Sequence, residues 1–135
     1  MKQFLVMLAV MAVMGCGKKK ESATDRKPLT KEQSVEVIDT AIRKAAKKPT
    51  GELTKEDFER PTRLDLWDYQ LTNVKGLEKL TQLTELDLYG NKLTDLKGLE
   101  KLTQLKFLHL GGNPGLSETQ ITKLQKALPN CNIAR

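Results

Sequence analysis

The amino-acid sequence predicts an α/β fold: a short solenoid of about three 22-residue coils, with a helical cap at the N-terminal end and a helix–strand cap at the C-terminal end. Three observations carry this prediction. The segment Gly-Leu-Glu-Lys-Leu-Thr-Gln-Leu begins at residue 76 and returns unchanged at residue 98. A helix-start signal stands on each side of the repeated region, and each is followed by an apolar stripe. Because a repeat buries its apolar edge only against a neighbour, the stack needs a cap at both ends.

The first element in chain order, residues 1–15, has the features of a signal peptide. Lys2 precedes an apolar run of eleven residues from Phe4 to Met14, which is too short to span a bilayer, where about 20 are needed. The segment Val-Met-Gly-Cys at residues 13–16 resembles the lipobox of bacterial lipoproteins. That resemblance implies cleavage before Cys16, lipidation of Cys16 and anchoring in the bacterial cell envelope, facing the periplasm or the cell surface. The alternative is an ordinary signal peptide or an uncleaved anchor in which Cys16 is incidental.

Residues 16–29 are predicted to be a flexible basic tether, because they contain almost no apolar side chains to bury. Of the net charge of +6, five arise here and in the helix that follows and one is Lys2, since residues 49–135 hold twelve basic and twelve acidic side chains. Three consecutive lysines at 18–20 either contact anionic headgroups, at about 1 kcal/mol each, or are simply solvated. With aromatic residues at only 4% of the chain, we expect no nucleic-acid partner.

Residues 30–60 are predicted to form the N-terminal helical cap. Thr30 and Gln33 have the spacing of a capping box, in which each side chain bonds the other's backbone amide. The helix is expected over about 31–47, ending before Pro49, with an apolar stripe that consists of Val35, Ile38, Ile42 and Ala45. Thr54 is expected to cap a second short helix that runs through Phe58.

The repeated region covers residues 61–116 and carries the pattern L-x-x-L-x-L-x-x-N-x-L. This pattern resembles the leucine-rich repeat, and its 22-residue length is most similar to the internalin-like class of bacterial surface proteins. The resemblance implies one parallel strand per coil, at Leu64 to Leu66, Leu86 to Leu88 and Leu108 to Leu110. It also implies a ladder of asparagines, Asn91 and Asn113, whose side chains bond the backbone of neighbouring coils. In the first copy, Tyr69 stands at the asparagine position.

Residues 117–135 are predicted to be the C-terminal cap. Ser117 and Gln120 form another capping box, Ile121, Leu124 and Leu128 share one helix face, and Cys131 begins a last short strand. Two cysteines exclude a disulfide scaffold. Once Cys16 is lipidated, Cys131 is alone, and we interpret it as a buried core residue rather than a reactive thiol.

Alternation along the strands places the leucines inward and their neighbours outward, on what the resemblance implies is a concave face. The outward positions are Arg63, Asp65 and Trp67, then Glu85, Asp87 and Tyr89, then Phe107, His109 and Gly111. Large aromatic side chains beside charges are typical of binding surfaces. The alternative is that the aromatics only stabilise the sheet, for example by stacking of Trp67 over Tyr89.

We expect neither a metal, a cofactor nor catalysis. Asp65, Asp87 and His109 share one repeat position, but the outer two are roughly 10 Å apart, so a metal could bridge neighbours and not all three. Asp87 is expected to pair with His109 or to await a polar partner. No serine or thiol nucleophile accompanies the single histidine, and an acid pair on an open sheet would lack a means of excluding water.

These observations predict a lipid-anchored envelope protein that binds another protein through its concave face. A face of nine outward positions is small beside a standard interface of roughly 20 to 30 residues per side, so binding is expected to be weak or to recruit loops. Two alternatives stay open. The face binds a glycan or peptidoglycan by stacking aromatics on sugar rings, or the protein is a structural lipoprotein without a specific ligand.

Overall fold

The structure, a computed structural model, describes residues 26–135. The predicted signal peptide, the lipidation site Cys16 and residues 16–25 of the predicted tether lie outside the described residues. Within residues 26–135, no helix is both long and apolar enough to cross a membrane.

Helix α1, Lys31–Ala46, is the larger helix of the N-terminal cap. The predicted capping box is present: the Gln33 amide donates to the Thr30 hydroxyl over 3.2 Å, and the Thr30 amide donates to the Gln33 side chain over 2.9 Å. The helix ends where Lys47 adopts a left-handed conformation, with φ of 57°. Ile38 is buried as predicted, together with Ile42 and Ala46, whereas Val35 and Ala45 are only half-buried.

Ser34 explains this small rotation of the buried stripe. Its side chain is fully buried against the first coil. The hydroxyl accepts a hydrogen bond from the Thr72 amide over 3.1 Å and lies 3.2 Å from the Thr72 hydroxyl. The hydroxyl also donates to the Thr30 carbonyl over 2.9 Å. A polar side chain at the helix–coil contact therefore fixes the face that α1 turns toward the first coil.

Helix α2, Lys55–Glu59, begins with a capping box between Thr54 and Asp57. Asp57 is only 5% exposed, and its carboxylate accepts hydrogen bonds from Lys48 Nζ over 2.7 Å and from the Thr54 amide over 2.9 Å. The Lys48 ammonium, followed by the Thr54 amide, holds the pKa of Asp57 at about 2, well below its usual value. This ion pair joins the end of α1 to the start of α2.

Four parallel strands form one sheet in chain order: β1 Arg63–Asp65, β2 Glu85–Asp87, β3 Phe107–His109 and β4 Asn132–Ala134. Each repeat strand begins and ends one residue earlier than predicted. At the ends of β1 and β2, the side chain of the last aspartate accepts a hydrogen bond from the amide two residues on. Such a bond turns the backbone out of the extended conformation.

The core lies between the sheet and the loops that close each coil. It consists almost entirely of leucines contributed at repeat positions, among them Leu66, Leu77, Leu88, Leu99 and Leu110. Two short 3₁₀ turns, Leu77–Lys79 and Leu99–Lys101, form the side of the coils opposite the sheet. Each follows a glycine with φ near 100°, Gly76 and Gly98, a conformation that side chains disfavour.

The buried side chain of Asn91 bonds two coils together. Its amide group donates to the carbonyls of Leu66 and Leu88 over 2.8 and 2.9 Å, and its oxygen accepts from the amides of Tyr69 and Leu71 over 3.1 and 3.0 Å. Asn113 repeats the arrangement one coil later, bonding Leu88, Leu110 and Leu93. These contacts satisfy backbone groups that strand pairing leaves without partners.

Helix α3, Glu118–Ala127, and β4 close the C-terminal end. Ser117 and Gln120 form the predicted capping box, and Ile121, Leu124 and Cys131 are buried. Burial raises the pKa of the Cys131 thiol, as expected for a core residue.

The described end of the predicted tether lies against the first coil. The Leu29 amide donates to the Gln70 carbonyl over 3.0 Å, and Leu29 packs against the core. Arg26 approaches the carboxylate of Asp68, with 3.7 Å between the charged atoms. Residues 26–29 therefore contact the domain, although the sequence assigned them to the tether.

Candidate functional site

The eight outward side chains of the repeat strands and of the residues just after them form one surface, which we call the sheet face. It consists of Arg63, Asp65, Trp67, Glu85, Asp87, Tyr89, Phe107 and His109. All eight are exposed or half-buried, while the alternate leucines between them are buried. In-register pairing of the parallel strands arranges the eight side chains in three rows that run across the sheet.

The first row contains Arg63, Glu85 and Phe107. Arg63 and Glu85 form an ion pair across β1 and β2, with 3.1 Å between nitrogen and oxygen. Both side chains are more than half exposed, so the pair contributes roughly 0.2–1 kcal/mol. Phe107 ends the row with its ring 51% exposed.

The middle row contains Asp65, Asp87 and His109. Asp87 Oδ1 lies 3.5 Å from His109 Nδ1, in the pairing that the sequence analysis expected. Across residues 26–135, Asp65 forms no ion pair, and its one hydrogen bond is from the Trp67 amide over 3.4 Å. The same residues contain no group of three His, Cys, Asp or Glu side chains that could hold a metal ion.

The third row contains Trp67 and Tyr89 and ends at Gly111. The ring of Tyr89 pairs with that of His109, with centroids 5.0 Å apart and planes tilted by 32°. Trp67 is 56% exposed and stacks on no other ring in the described part of the chain. The aromatic contact on this face is therefore between Tyr89 and His109, not between Trp67 and Tyr89.

Gly111 was predicted to be an outward position, but it is buried. A Cβ atom at Gly111 would lie 2.8 Å from the backbone carbon of Arg135 and 3.1 Å from the ring of Tyr89. The chain after β4 therefore crosses this position, and the third row has only two exposed side chains.

Tyr69 is an exposed aromatic residue that the sequence analysis did not place on a surface. It stands at the position that Asn91 and Asn113 occupy in later coils, where the side chain is buried. A phenol ring is too large for that interior position, and Tyr69 is instead 51% exposed, two residues beyond Trp67. The bulk of tyrosine at an interior repeat position was the signal that could have located it.

Two hollows on the described surface lie away from the sheet face. One, of about 300 Å³, lies between the second 3₁₀ turn and α3 and is lined by Leu96, Lys97, Lys123 and Leu124 among others. The other, of about 90 Å³, lies between α1 and the first 3₁₀ turn. Neither includes a residue of the sheet face, where Asp65 is exposed and Asp87 is half-buried.

Comparisons with known proteins agree with this architecture. The sequence profile of the family described as leucine-rich repeats (2 copies) matches residues 62–101 and 81–130, which together span just over half of the chain. No curated protein matches the chain at a significant level.

Several solved structures are similar. An internalin (inlF) of Listeria monocytogenes superposes with a TM-score of 0.61 at 26% identity, covering 72% of this chain and 28% of the internalin. Internalin C2 of the same organism superposes with a TM-score of 0.58 at 31% identity, covering 66% of this chain and 40% of its own. A leucine-rich repeat protein of Leptospira interrogans superposes with a TM-score of 0.53 at 31% identity, covering 62% of this chain and 22% of the Leptospira protein. The chain thus spans less than half the length of each.

The 22-residue repeat, the in-register parallel sheet and the buried asparagines all agree with these matches. The predicted fold class is confirmed: an internalin-like solenoid with parallel strands in one sheet. The chain belongs to the leucine-rich repeat family.

Proposed function

We propose that this protein is lipid-anchored in the bacterial cell envelope and binds another protein through its sheet face. One observation carries the proposal. The large apolar side chains exposed in residues 26–135 are Trp67, Tyr69, Tyr89 and Phe107, and all four lie on the sheet face or immediately beside it. Leucine-rich repeat proteins generally mediate protein–protein interaction, and internalin-like proteins are typically non-enzymatic binding proteins.

The exposure of Trp67 favours a binding role over a structural one. If the aromatics served only to stabilise the sheet, Trp67 would be expected to cover part of Tyr89. Instead Tyr89 pairs with His109, and more than half of Trp67 is left in water. Tryptophan and tyrosine are enriched among the residues that dominate binding energy, because burying each removes a large apolar area from water.

The size of the sheet face limits the affinity. A standard interface buries about 800 Å² on each partner through roughly 20 to 30 residues, and this face offers eight side chains plus Tyr69. Binding through this face alone is expected to be weak. Clustering of lipid-anchored copies on a membrane would raise the effective concentration and supply avidity.

The test of binding is crosslinking in the intact envelope. A photoreactive residue at position 67 or 89 should capture a protein, whereas one at Lys126, exposed on α3, should not. A Trp67→Ala, Tyr89→Ala double variant that keeps its circular dichroism spectrum should lose the interaction. Equal capture at positions 126 and 67, or binding of the captured protein to the double variant as tightly as to the natural chain, would rule out the sheet face as the site.

The test of anchoring is separate. Mass spectrometry of the mature protein should find a lipid-modified N-terminus at Cys16, and detergent partitioning should place the protein in the detergent phase. A Cys16→Ser variant should lose the lipid and the membrane association. A Cys16→Ser variant that remained lipidated would show that this part of the proposal is incorrect.

A glycan is the second candidate ligand. Trp67 and Tyr89 are exposed on the same face as the carboxylates of Asp65 and Asp87, and aromatic rings beside acids suit the stacking and hydrogen bonding of a sugar. Pull-down with purified envelope polysaccharide, against envelope protein, separates the two candidates. The third alternative, a structural lipoprotein without a specific ligand, predicts that Trp67 fluorescence responds to neither fraction.

A further inference from the structure

The middle of the sheet face carries two neighbouring carboxylates that no lysine or arginine of residues 26–135 pairs with. Asp65 and Asp87 are register partners on adjacent parallel strands, which lie about 4.8 Å apart. Like charges directly opposite each other destabilise a sheet. Among residues 26–135, neither carboxylate is paired with a lysine or an arginine, and the only group near Asp87 that can carry a positive charge is His109, at 3.5 Å.

In the first row, by contrast, the negative charge has a partner within the chain. Glu85 forms an ion pair with Arg63 across the strands, with 3.1 Å between nitrogen and oxygen. The first row is therefore neutral and the middle row is not. The sheet face as a whole carries one arginine against three carboxylates, although residues 49–135 are balanced at twelve charges of each sign. Negative charge is thus concentrated where the exposed aromatics lie.

The aromatic row borders the carboxylates on the other side. Trp67 and Tyr89 follow Asp65 and Asp87 by two residues, so the Cα atoms of each aspartate and its aromatic neighbour are at most about 7 Å apart. A lysine or arginine side chain spans this distance, and cations bind aromatic faces within about 6 Å of the ring centre. A basic side chain lying across the two rows would place its apolar stem on the rings and its charge between the carboxylates.

We infer that the partner of the sheet face presents a lysine- or arginine-bearing segment, whose cation binds Asp65 and Asp87 and whose stem packs on Trp67 and Tyr89. The inference rests on the proposed function and names the chemistry of the partner. The charge complementarity also steers encounter, so binding should weaken as salt rises.

The experiment uses the full chain and three synthetic twelve-residue peptides in which Gly-Ser spacers separate three lysines, three arginines or three glutamates. Binding is followed by Trp67 fluorescence, since Trp67 is the only tryptophan. The lysine and arginine peptides should bind, more weakly at 300 mM salt than at 20 mM, and the glutamate peptide should not. An Asp65→Asn, Asp87→Asn double variant should bind the basic peptides about tenfold more weakly, since two exposed charge interactions are lost.

Asp95→Asn is the matched control. Like Asp87, Asp95 is an acid whose oxygen accepts a hydrogen bond from the amide two residues on, here that of Lys97 over 3.0 Å, but it lies away from the sheet face. Asparagine keeps that acceptor oxygen in all three positions, so folding should be retained. The control variant should bind the basic peptides within twofold of the natural chain.

Each possible result either supports the inference or overturns it. The inference is overturned if no basic peptide binds, if the glutamate peptide binds equally well, or if the Asp65 and Asp87 variant keeps its affinity. Dimerisation that the same variant abolishes would also overturn it, by assigning the cation to a second copy of the chain. If crosslinks from position 67 capture a protein that the Asp variant still holds, the proposed function stands and this inference fails. If position 67 captures nothing, the proposed function fails, and the peptides alone decide the inference.

Discussion

Replacing Asn91 by alanine tests the bonds between coils. The side chain is fully buried and makes four hydrogen bonds to backbone groups at 3.1 Å or less, two as donor and two as acceptor. Alanine supplies none of them, so four backbone groups lose the side-chain partner that Asn91 provides. We therefore expect the variant to fold less stably, with the loss concentrated at the contact between the first and second coils.

The magnitude follows from the number of bonds. A buried hydrogen bond contributes about 1 kcal/mol net, so removing four should lower the free energy of unfolding by about 4 kcal/mol. Asn113 makes three bonds of 3.2 Å or less, and Asn113→Ala should cost about 3 kcal/mol by the same reasoning. Since small domains are stable by only about 5–15 kcal/mol, Asn91→Ala should unfold at much lower denaturant.

The assay is equilibrium urea unfolding, followed by circular dichroism and by Trp67 fluorescence. Asn130→Ala is the control, because Asn130 is exposed and should change the unfolding free energy by less than about 0.5 kcal/mol. A loss below about 1 kcal/mol for Asn91→Ala, or a larger loss for Asn113→Ala than for Asn91→Ala, would refute the assignment of these bonds as the main contact between coils.

Three further predictions concern the caps and turns. Because Lys48 lowers the pKa of Asp57 to about 2, the stability from this pair should be complete above pH 3.8 and lost as the pH falls toward 2. Asp57→Asn should flatten this dependence of the unfolding free energy on pH, measured by urea unfolding, and an unchanged dependence would contradict the role of the Lys48–Asp57 pair. Gly98→Ala should cost about 1–3 kcal/mol because φ is 102°, whereas the exposed Thr103→Ala should cost almost nothing; equal losses would remove the role of backbone strain. Gly111→Ala should displace the end of β4 and speed amide exchange at residues 132–135, since its Cβ would lie 2.8 Å from Arg135; unchanged exchange there would disprove the close contact.

The sequence predicted those parts of the fold that local pattern or the repeat encodes. The capping boxes at Thr30 and Ser117 depend on residues three apart, and the structure contains both, together with the predicted cap at Thr54. The parallel strands were implied by the resemblance of the 22-residue repeat to leucine-rich repeats, and the structure pairs residues 22 positions apart. The structure shows each repeat strand one residue earlier than predicted, because hydrophobic periodicity does not fix the residue at which a strand begins or ends.

Contacts between distant segments escaped prediction for a different reason. Ser34 and Thr72 are 38 residues apart and belong to no shared motif, so the sequence around either residue does not predict their hydrogen bond. Gly111 was assigned to the surface by alternation, and only the path of the last residues, past Arg135, buries it. On the sheet face, periodicity predicted that Trp67 and Tyr89 point outward. It could not predict that the ring of Tyr89 pairs with His109 and not with Trp67, because that depends on side-chain conformation.

The number of residues between paired positions on neighbouring strands shows where this protein could gain copies of its repeat. Glu85 pairs with Phe107, an offset of 22 residues, whereas Phe107 pairs with Asn132, an offset of 25, so β4 is not a repeat unit. The segment from Gly76 to Gly98 begins and ends in nearly the same backbone conformation, with φ of 103° and 102°. A duplication of that unit could be spliced in at either glycine without touching either cap. Each duplication would widen the sheet face by one column of three side chains, which makes interface size a quantity that evolution or design can adjust in whole steps.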